Sequence, residues 1–304
     1  MRYLVRNVAV SLGEDAGATR RKLARTVGIA HEALLEVTLV RKSLDARQKR
    51  NIHFLCSFEI ETTTPLRQPL PEGVSEAETS QLAPPRPIEL PLTTNRNDRR
   101  AIVVGAGPAG LFAALALVEA GWQVHLLERG KPVEARMRDI GRLRSRGELD
   151  PESNICFGEG GAGTYTDGKL YTRIKHPYLR WVLAEFVRFG ARPDILVDAH
   201  PHLGTDKLVR IVRNMRDHLL GLGVDYRFAC RVDDLLIADS KVRGVRIASG
   251  EEITAEQVVL ATGHSARDTY QRLEQLGIAI EAKAFAIGVR AEHPQQLIDG
   301  IQFG

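Results

Sequence analysis

Residues 101–130 read AIVVGAGPAGLFAALALVEAGWQVHLLERG, and this stretch decides the fold. Ala101 to Val104 forms a short apolar strand, Leu111 to Ala120 an apolar helix closed by Gly121, and Val124 to Leu127 a second strand. Between the first strand and the helix, Gly105, Gly107 and Gly110 fit G-x-G-x-x-G. The first glycine allows a tight turn, the second lets the backbone approach a pyrophosphate, and the third lets the helix pack closely on the strand. Ala106 and Pro108 complete this cofactor-binding turn. Amides at the helix start then face the phosphates, where the helix dipole favours negative charge. Glu128 ends the second strand and is placed to accept hydrogen bonds from ribose hydroxyls. A lone glycine triplet is weak; strand, glycines, helix, strand and acid in that order predict a nucleotide-binding βαβ unit. An acid at 128 also argues against a 2′-phosphate at this site.

A second literal match, Gly158, Gly160 and Gly163 in FGEGGAGT, has neither a convincing strand before it nor an apolar helix after it. It reads as a glycine loop whose successive amides can form an anion-binding nest. Further on, Tyr178 to Phe189 has helical periodicity ended by Gly190, and Thr205 is placed to cap a helix running to about Leu220. Val224 to Phe228, Val242 to Ile247 and Gln257 to Ala261 read as strands.

Upstream, residues 1–63 predict a small α+β, ferredoxin-like domain. Its strands are Tyr3 to Val10, Leu35 to Val40 and Ile52 to Ile60, and its helix runs from Asp15 to Val27 with Gly28 at the end. Residues 64–98 hold half of the chain's 14 prolines and read as a linker or an extended wrapping segment. The remainder divides into a Rossmann-like α/β nucleotide-binding domain over 99–281, with an insertion at about 130–222, and the start of a further domain at 282–304.

The 304 residues suffice for about two domains. An apolar fraction of 43% with 26% charged residues excludes fibrous and wholly disordered classes. No run of apolar residues is long enough to cross a membrane, and the start lacks the pattern of a secretion signal. A net charge of +4 spread among acids reads as a solvated surface rather than a nucleic-acid footprint. Cys56, Cys156 and Cys230 lie far apart with no CxxC pair. No disulfide framework or metal site is expected, and the compartment expected is a reducing cytoplasm.

The fingerprint alone does not separate NAD from FAD. The order of later elements does, because an insertion intervenes before an apolar strand returns as QVVLATG, residues 257–263. That layout resembles the glutathione-reductase-like, two-dinucleotide-binding-domain flavoproteins. The segments RKSLDARQKRNIHF, SNICFGEGGAGTYTDGKLYTRI, PHLGTDKL and ATGHSARDTY are similar to those of a bacterial family of FAD-dependent dehydrogenases or oxidoreductases of mostly unassigned substrate. The resemblance implies noncovalent FAD, a small-molecule substrate, an oxidoreductase role and NAD(P)H as a possible electron donor. The spread of charge and the lack of a long apolar run lead to no nucleic-acid or membrane partner being expected.

On that resemblance, Ala261, Thr262 and Gly263 return beside the FAD. Gly160, Gly161, Gly163 and Thr164 line the flavin or the pyrophosphate. Arg129 lies along the ribose or phosphates, or else forms a salt bridge. Val232 meets adenine through its main chain, or else packs in the core. For proton transfer beside the flavin, His264, His202 and Lys169 are the candidates, with Asp167 in the same loop as Lys169. Two rivals stand beside the oxidoreductase reading: a flavin-dependent RNA-modifying protein, and a non-catalytic FAD-binding regulator. Members of the family are longer, and no late GD-type segment follows residue 264. A truncated chain is therefore expected, with Ala284 to Arg290 as an unpartnered strand and apolar surface around Phe285, Ile287 and Val289.

Overall fold

The computed structural model describes residues 1–77, 99–165, 168–170, 172, 174, 176, 178–203, 205–289 and 291–304, with backbone only at Thr205 and Asp206. The N-terminal unit contains β1 (Arg2–Ser11), α1 (Ala16–Val27), β2 (Leu34–Asp45), β3 (His53–Thr62) and β4 (Val74–Glu76). Asp15 caps α1 by accepting the Ala18 N–H at 2.8 Å, and Gly28 ends it in the left-handed region at φ 72°. The four strands form an antiparallel sheet in the order β2-β3-β1-β4. α1 lays Leu23, Ala24 and Val27 on one face of it, against Val5, Val8, Phe58 and Ile60. This is the ferredoxin-like strand order with an irregular segment in place of the second helix.

Part of the Pro-rich stretch expected to be a linker belongs to this unit. Leu66 is buried in the same cluster, its N–H donating to the Tyr3 hydroxyl at 3.0 Å. β4, which contains no proline, then pairs with β1 from Val74 to Glu76. A strand this short fits a sheet edge, where proline on either side costs no ladder bond. Residues 78–98 lie outside the described residues.

The second unit is three-layered. β5 (Arg100–Val104), β6 (Gln123–Leu127), β7 (Asp225–Arg227) and β11 (Gln257–Leu260) form a parallel sheet in the order β11-β5-β6-β7. α2 (Pro108–Glu119), α3 (Val133–Arg146), α4 (Tyr178–Arg188) and α5 (Thr205–Gly221) accompany it. β8 (Val232–Ala238), β9 (Lys241–Ile247) and β10 (Glu252–Thr254) form an antiparallel sheet of their own. The period-2 alternation of a strand sorts β5 between two cores. Val103 packs with Leu111, Leu115, Ile211 and Met215 of the helices. Ile102 and Val104 pack with Leu235, Val245 and Ile253 of the antiparallel layer. Burial on both faces is why β5 runs apolar without a break from Ala101 to Val104.

α6 (Arg267–Gln275) and α7 (Gln295–Gln302) follow β11. The strand expected over Ala284 to Arg290 does not form: residues 281–289 carry no regular structure, and residue 290 lies outside the described residues. Alternation makes a strand only where a neighbouring edge supplies hydrogen bonds, and no described strand pairs here. Phe285, Ile287 and Val289 are 84%, 90% and 97% exposed. The two units meet where Lys42 of β2 donates its N–H to the Val197 carbonyl at 2.7 Å and accepts from the Ala199 N–H at 2.8 Å.

Candidate functional site

The βαβ turn is built as its glycines require. Gly105, at φ 99°, donates its N–H to the Leu127 carbonyl at 2.7 Å, and a Cβ there would lie 2.5 Å from the Ala261 carbonyl oxygen. This glycine therefore serves the return of β11 as well as the turn. A Cβ on Gly110 would strike the Gly105 carbonyl, so the close packing of α2 on β5 is what that position needs. Gly107 differs: the nearest atom to an added Cβ is Gly161 Cα at 3.7 Å. It faces a cleft of about 530 Å³. α2 begins at Pro108, so the N–H groups of Ala109 and Gly110 have no acceptor within the helix. Such a helix start is a ready anion site, and Ala109 lines the cleft.

Most of the residues singled out in the sequence converge on this cleft. Gly105, Gly107, Pro108, Glu128, Arg129, Gly161, Gly163, Val232, Ala261, Thr262, Gly263 and His264 all line it. Four others do not. Ala106 and Gly110 are buried beneath the turn. Gly160 and Thr164 face the core instead: Thr164 is 2% exposed, and its hydroxyl lies against Gly160 with no hydrogen-bond partner among the described residues. Neither therefore lines the cleft in which they were expected to border the flavin or pyrophosphate. From this loop Gly158 and the run Gly161 to Gly163 line the cleft, while Glu159, Gly160 and Thr164 are turned away from it.

Glu128 does more than end a strand. It is 4% exposed, and its Oε2 accepts the Ala106 N–H at 2.7 Å. Its Oε1 accepts the N–H groups of Gly130 at 2.8 Å and Gly158 at 3.1 Å. One carboxylate thereby ties together the glycine turn, the end of β6 and the glycine loop 158–163, while one side still borders the cleft.

Arg129 takes the salt-bridge alternative. Its Nε donates to Glu152 at 2.7 Å, its two Nη groups grip Asp268 of α6 at 3.1 and 2.9 Å, and the guanidinium stacks over Phe157 at 4.2 Å. Glu152 also accepts from Arg231 at 2.8 Å. Burial is the largest single influence and opposes the charge on Glu152 and Asp268, but the hydrogen bonds and charges of Arg129, joined at Glu152 by Arg231 and at Asp268 by backbone N–H groups, together hold both carboxyls below the usual range. Four chain segments are thus laced together at one end of the cleft.

Of the proton-transfer candidates, only His264 reaches the cleft, where it is exposed. Lys169 and His202 instead face each other across a short antiparallel bridge. There Leu170 N–H donates to Pro201 O at 3.0 Å and Leu203 N–H to Gly168 O at 2.9 Å. Neither Lys169 nor His202 lines the cleft. Asp167, and the side chain of Thr205 expected to cap α5, lie outside the described residues. Among the described residues no group of His, Cys, Asp or Glu could hold a metal ion, and no helix is long and apolar enough to cross a membrane.

Two buried groups behind the glycine loop carried no signal in a reading by motif. Arg136 of α3 is fully buried, and so is Glu159 within the loop. Glu159 accepts the Val133 N–H at 2.8 Å, Arg216 of α5 at 2.7 Å and the Tyr226 hydroxyl at 3.1 Å. Burial nevertheless pushes its carboxyl up to about 7. For Arg136 a trace existed: Val133, Arg136 and Ile140 share the helical spacing of a buried face.

Residues 98–139 match the family described as FAD binding domain. The chain carries an FAD-binding domain. Its cofactor is FAD, and the likeness to the glutathione-reductase-like flavoproteins stands. Residues 4–61 match a domain of unknown function, DUF8436. An uncharacterized protein of Clostridium beijerinckii is 36% identical over 305 residues, spanning 100% of this chain and 56% of that one. Protein FixC of Escherichia coli is 30% identical over 210 residues, 66% of this chain and 44% of that one. The chain thus spans about half the length of these curated relatives. Among solved structures, Thermovibrio ammonificans THI4 overlies with TM-score 0.39 at 17% identity, covering 60% of this chain and 64% of that one.

The geometry fits the cofactor's needs. The open face of Gly107 and the free amides of α2 suit a pyrophosphate, and Glu128 and Val232 lie at the cleft wall suited to an adenosine.

Proposed function

We propose that the chain is the FAD-binding portion of an oxidoreductase acting on a small molecule, with the cofactor extended along the cleft between α2 and α6. The observation that carries this reading is the convergence of Gly107, Glu128, Val232 and Ala261–Gly263 on one cleft at a helix N-terminus. When bound, the flavin supplies a two-electron, hydride-accepting centre. The protein's share is binding and orientation. Gly107 and the first amides of α2 hold the pyrophosphate. Glu128 accepts from the ribose. The Val232 backbone meets the adenine. His264, exposed at the cleft just beyond the apolar return strand β11, is the group placed to move a proton at the substrate end.

Gly107→Val tests the assignment. The branched side chain has room in the protein, since only Gly161 Cα approaches, but it occupies the space proposed for the pyrophosphate. FAD retention should fall by at least about a hundredfold, roughly 3 kcal/mol, with the thermal midpoint of the cofactor-free protein unchanged. Retention of FAD by the variant, read from flavin absorbance after gel filtration, would contradict the placement.

A further inference from the structure

Arg136 is a guanidinium with no exposed surface, and it spends its donors on main-chain carbonyls. Nε donates to Asn154 O at 2.8 Å and Nη2 to Ile155 O at 2.8 Å. Nη1 donates to Glu159 O and Gly161 O, both at 2.8 Å, with a longer contact of 3.4 Å to Gly158 O. The ring of Tyr165 lies 5.2 Å from its centre, and the Tyr165 hydroxyl donates to Val133 O of the same helix. Burial lowers its pKa, yet a guanidinium starts so high that it stays charged. Its hydrogen bonds among the described residues all go to carbonyls rather than to a carboxylate. Its charge is balanced by a ring of carbonyl dipoles, an arrangement that is costly unless every one of them is held in place.

These carbonyls, pointing to one cation, fix the path of the loop. Gly158, Gly160 and Gly161 take φ of 117°, 81° and 70°, the region only glycine adopts freely. The turns send the carbonyls of Gly158 and Gly161 to Arg136 while amides go the other way. Gly158 N–H reaches Glu128, and Gly160 N–H reaches Ala106 O at 2.8 Å. A Cβ on Gly158 would run into the Arg136 stem, so the two positions are shaped for each other. The loop is clamped between a cation behind it and the glycine turn in front. Gly161 and Gly163 then form the cleft wall opposite the start of α2.

We propose that Arg136 is a positioning residue. Its buried charge preforms the wall of the site that receives the dinucleotide's diphosphate, and it does so without touching the ligand. This rests on the FAD reading of the cleft. The test compares Arg136→Lys and Arg136→Met with the parent protein. FAD affinity is read by quenching of flavin fluorescence, and loop order by hydrogen exchange over residues 154–164. Lysine keeps the charge but offers a point donor instead of a planar fork. It should lose roughly tenfold in FAD affinity, and methionine about a hundredfold, the scale of one or two lost bonds to a charged donor. In both, amides of 154–164 should exchange faster than in the parent. A methionine variant that binds FAD as the parent does, or that protects the loop equally, overturns the proposal. If neither variant folds, the parent decides: loop amides already protected before FAD is added support preformation, and amides protected only after addition refute it. A parent that binds no FAD overturns the cofactor reading, while faster loop exchange in the methionine variant would still show that Arg136 orders the loop.

Discussion

Glu128 carries two jobs on one carboxylate, and the second was hidden from a reading by motif. A strand-end acid following a glycine fingerprint points to a ribose. Nothing in its local sequence shows that its oxygens also hold the amides of Ala106, Gly130 and Gly158, because two of these donors come from other parts of the chain. Arg136 was hidden for the same reason: its carbonyl partners, from Asn154 to Gly161, belong to a separate loop. Removing Glu128 should therefore damage the fold as well as the ligand site. Glu128→Ala would leave three buried amides without an acceptor, at ~1 kcal/mol or more each. Glu128→Gln, which sets an amide donor against amide donors, should cost about 1–3 kcal/mol. Thermal unfolding of the cofactor-free protein reads the effect. Unchanged midpoints in both variants would show that the carboxylate serves the ligand alone.

At the scale of elements, β5, α2 and β6 were legible because each glycine between them has a separate steric reason. The flanking strands are apolar because both faces are covered. β8 was not legible, since VDDLLIA sets Asp233 and Asp234 beside its apolar residues. Asp234 is used, accepting Arg272 of α6 at 3.0 and 2.8 Å. The same limit applies to the glycine loop, where Glu159 joins α3, α5 and β7 from inside the protein. Its carboxyl stands at about 7 against an ordinary 4.5. The folded state therefore binds its proton more tightly than the unfolded chain. The resulting stability is fully present below pH 4.5 and is lost as pH rises through about 7. The swing has an upper size of about 3 kcal/mol. Glu159→Gln, neutral at every pH, should remove this slope while leaving that of other groups. Melting curves of the two proteins between pH 4.5 and about 7 should converge at the acid end and separate toward neutrality. Parallel curves would mean that the Arg216 contact keeps Glu159 charged throughout.

Across the whole molecule, the N-terminal unit and the FAD-binding domain keep separate cores. Every residue of the N-terminal cluster, from Tyr3 through Leu66 with Val74 packed against it, precedes the end of β4 at Glu76. The helical and antiparallel-layer clusters begin at Val103 and Ile102. Joining the units are the paired hydrogen bonds of Lys42 with Val197 and Ala199 and the approach of Glu59 on the sheet to Arg180 of α4. None of this docking was legible from the sequence, because it depends on which edge and face the ferredoxin-like order leaves uncovered. A unit whose main apolar cluster is built from its own residues should fold without its neighbour, and a chain from Met1 to Ala77 is long enough to bury a small core. A fragment spanning Met1 to Ala77 should therefore show the far-UV signature of an antiparallel sheet with one helix and a single cooperative melt. Its midpoint should lie below that of the same unit in the full chain, since the Lys42 bonds and the neighbour of Glu59 are absent. Loss of cooperativity in the fragment would mean that the docking surface, and not the Leu23–Ile60 core, holds the sheet together.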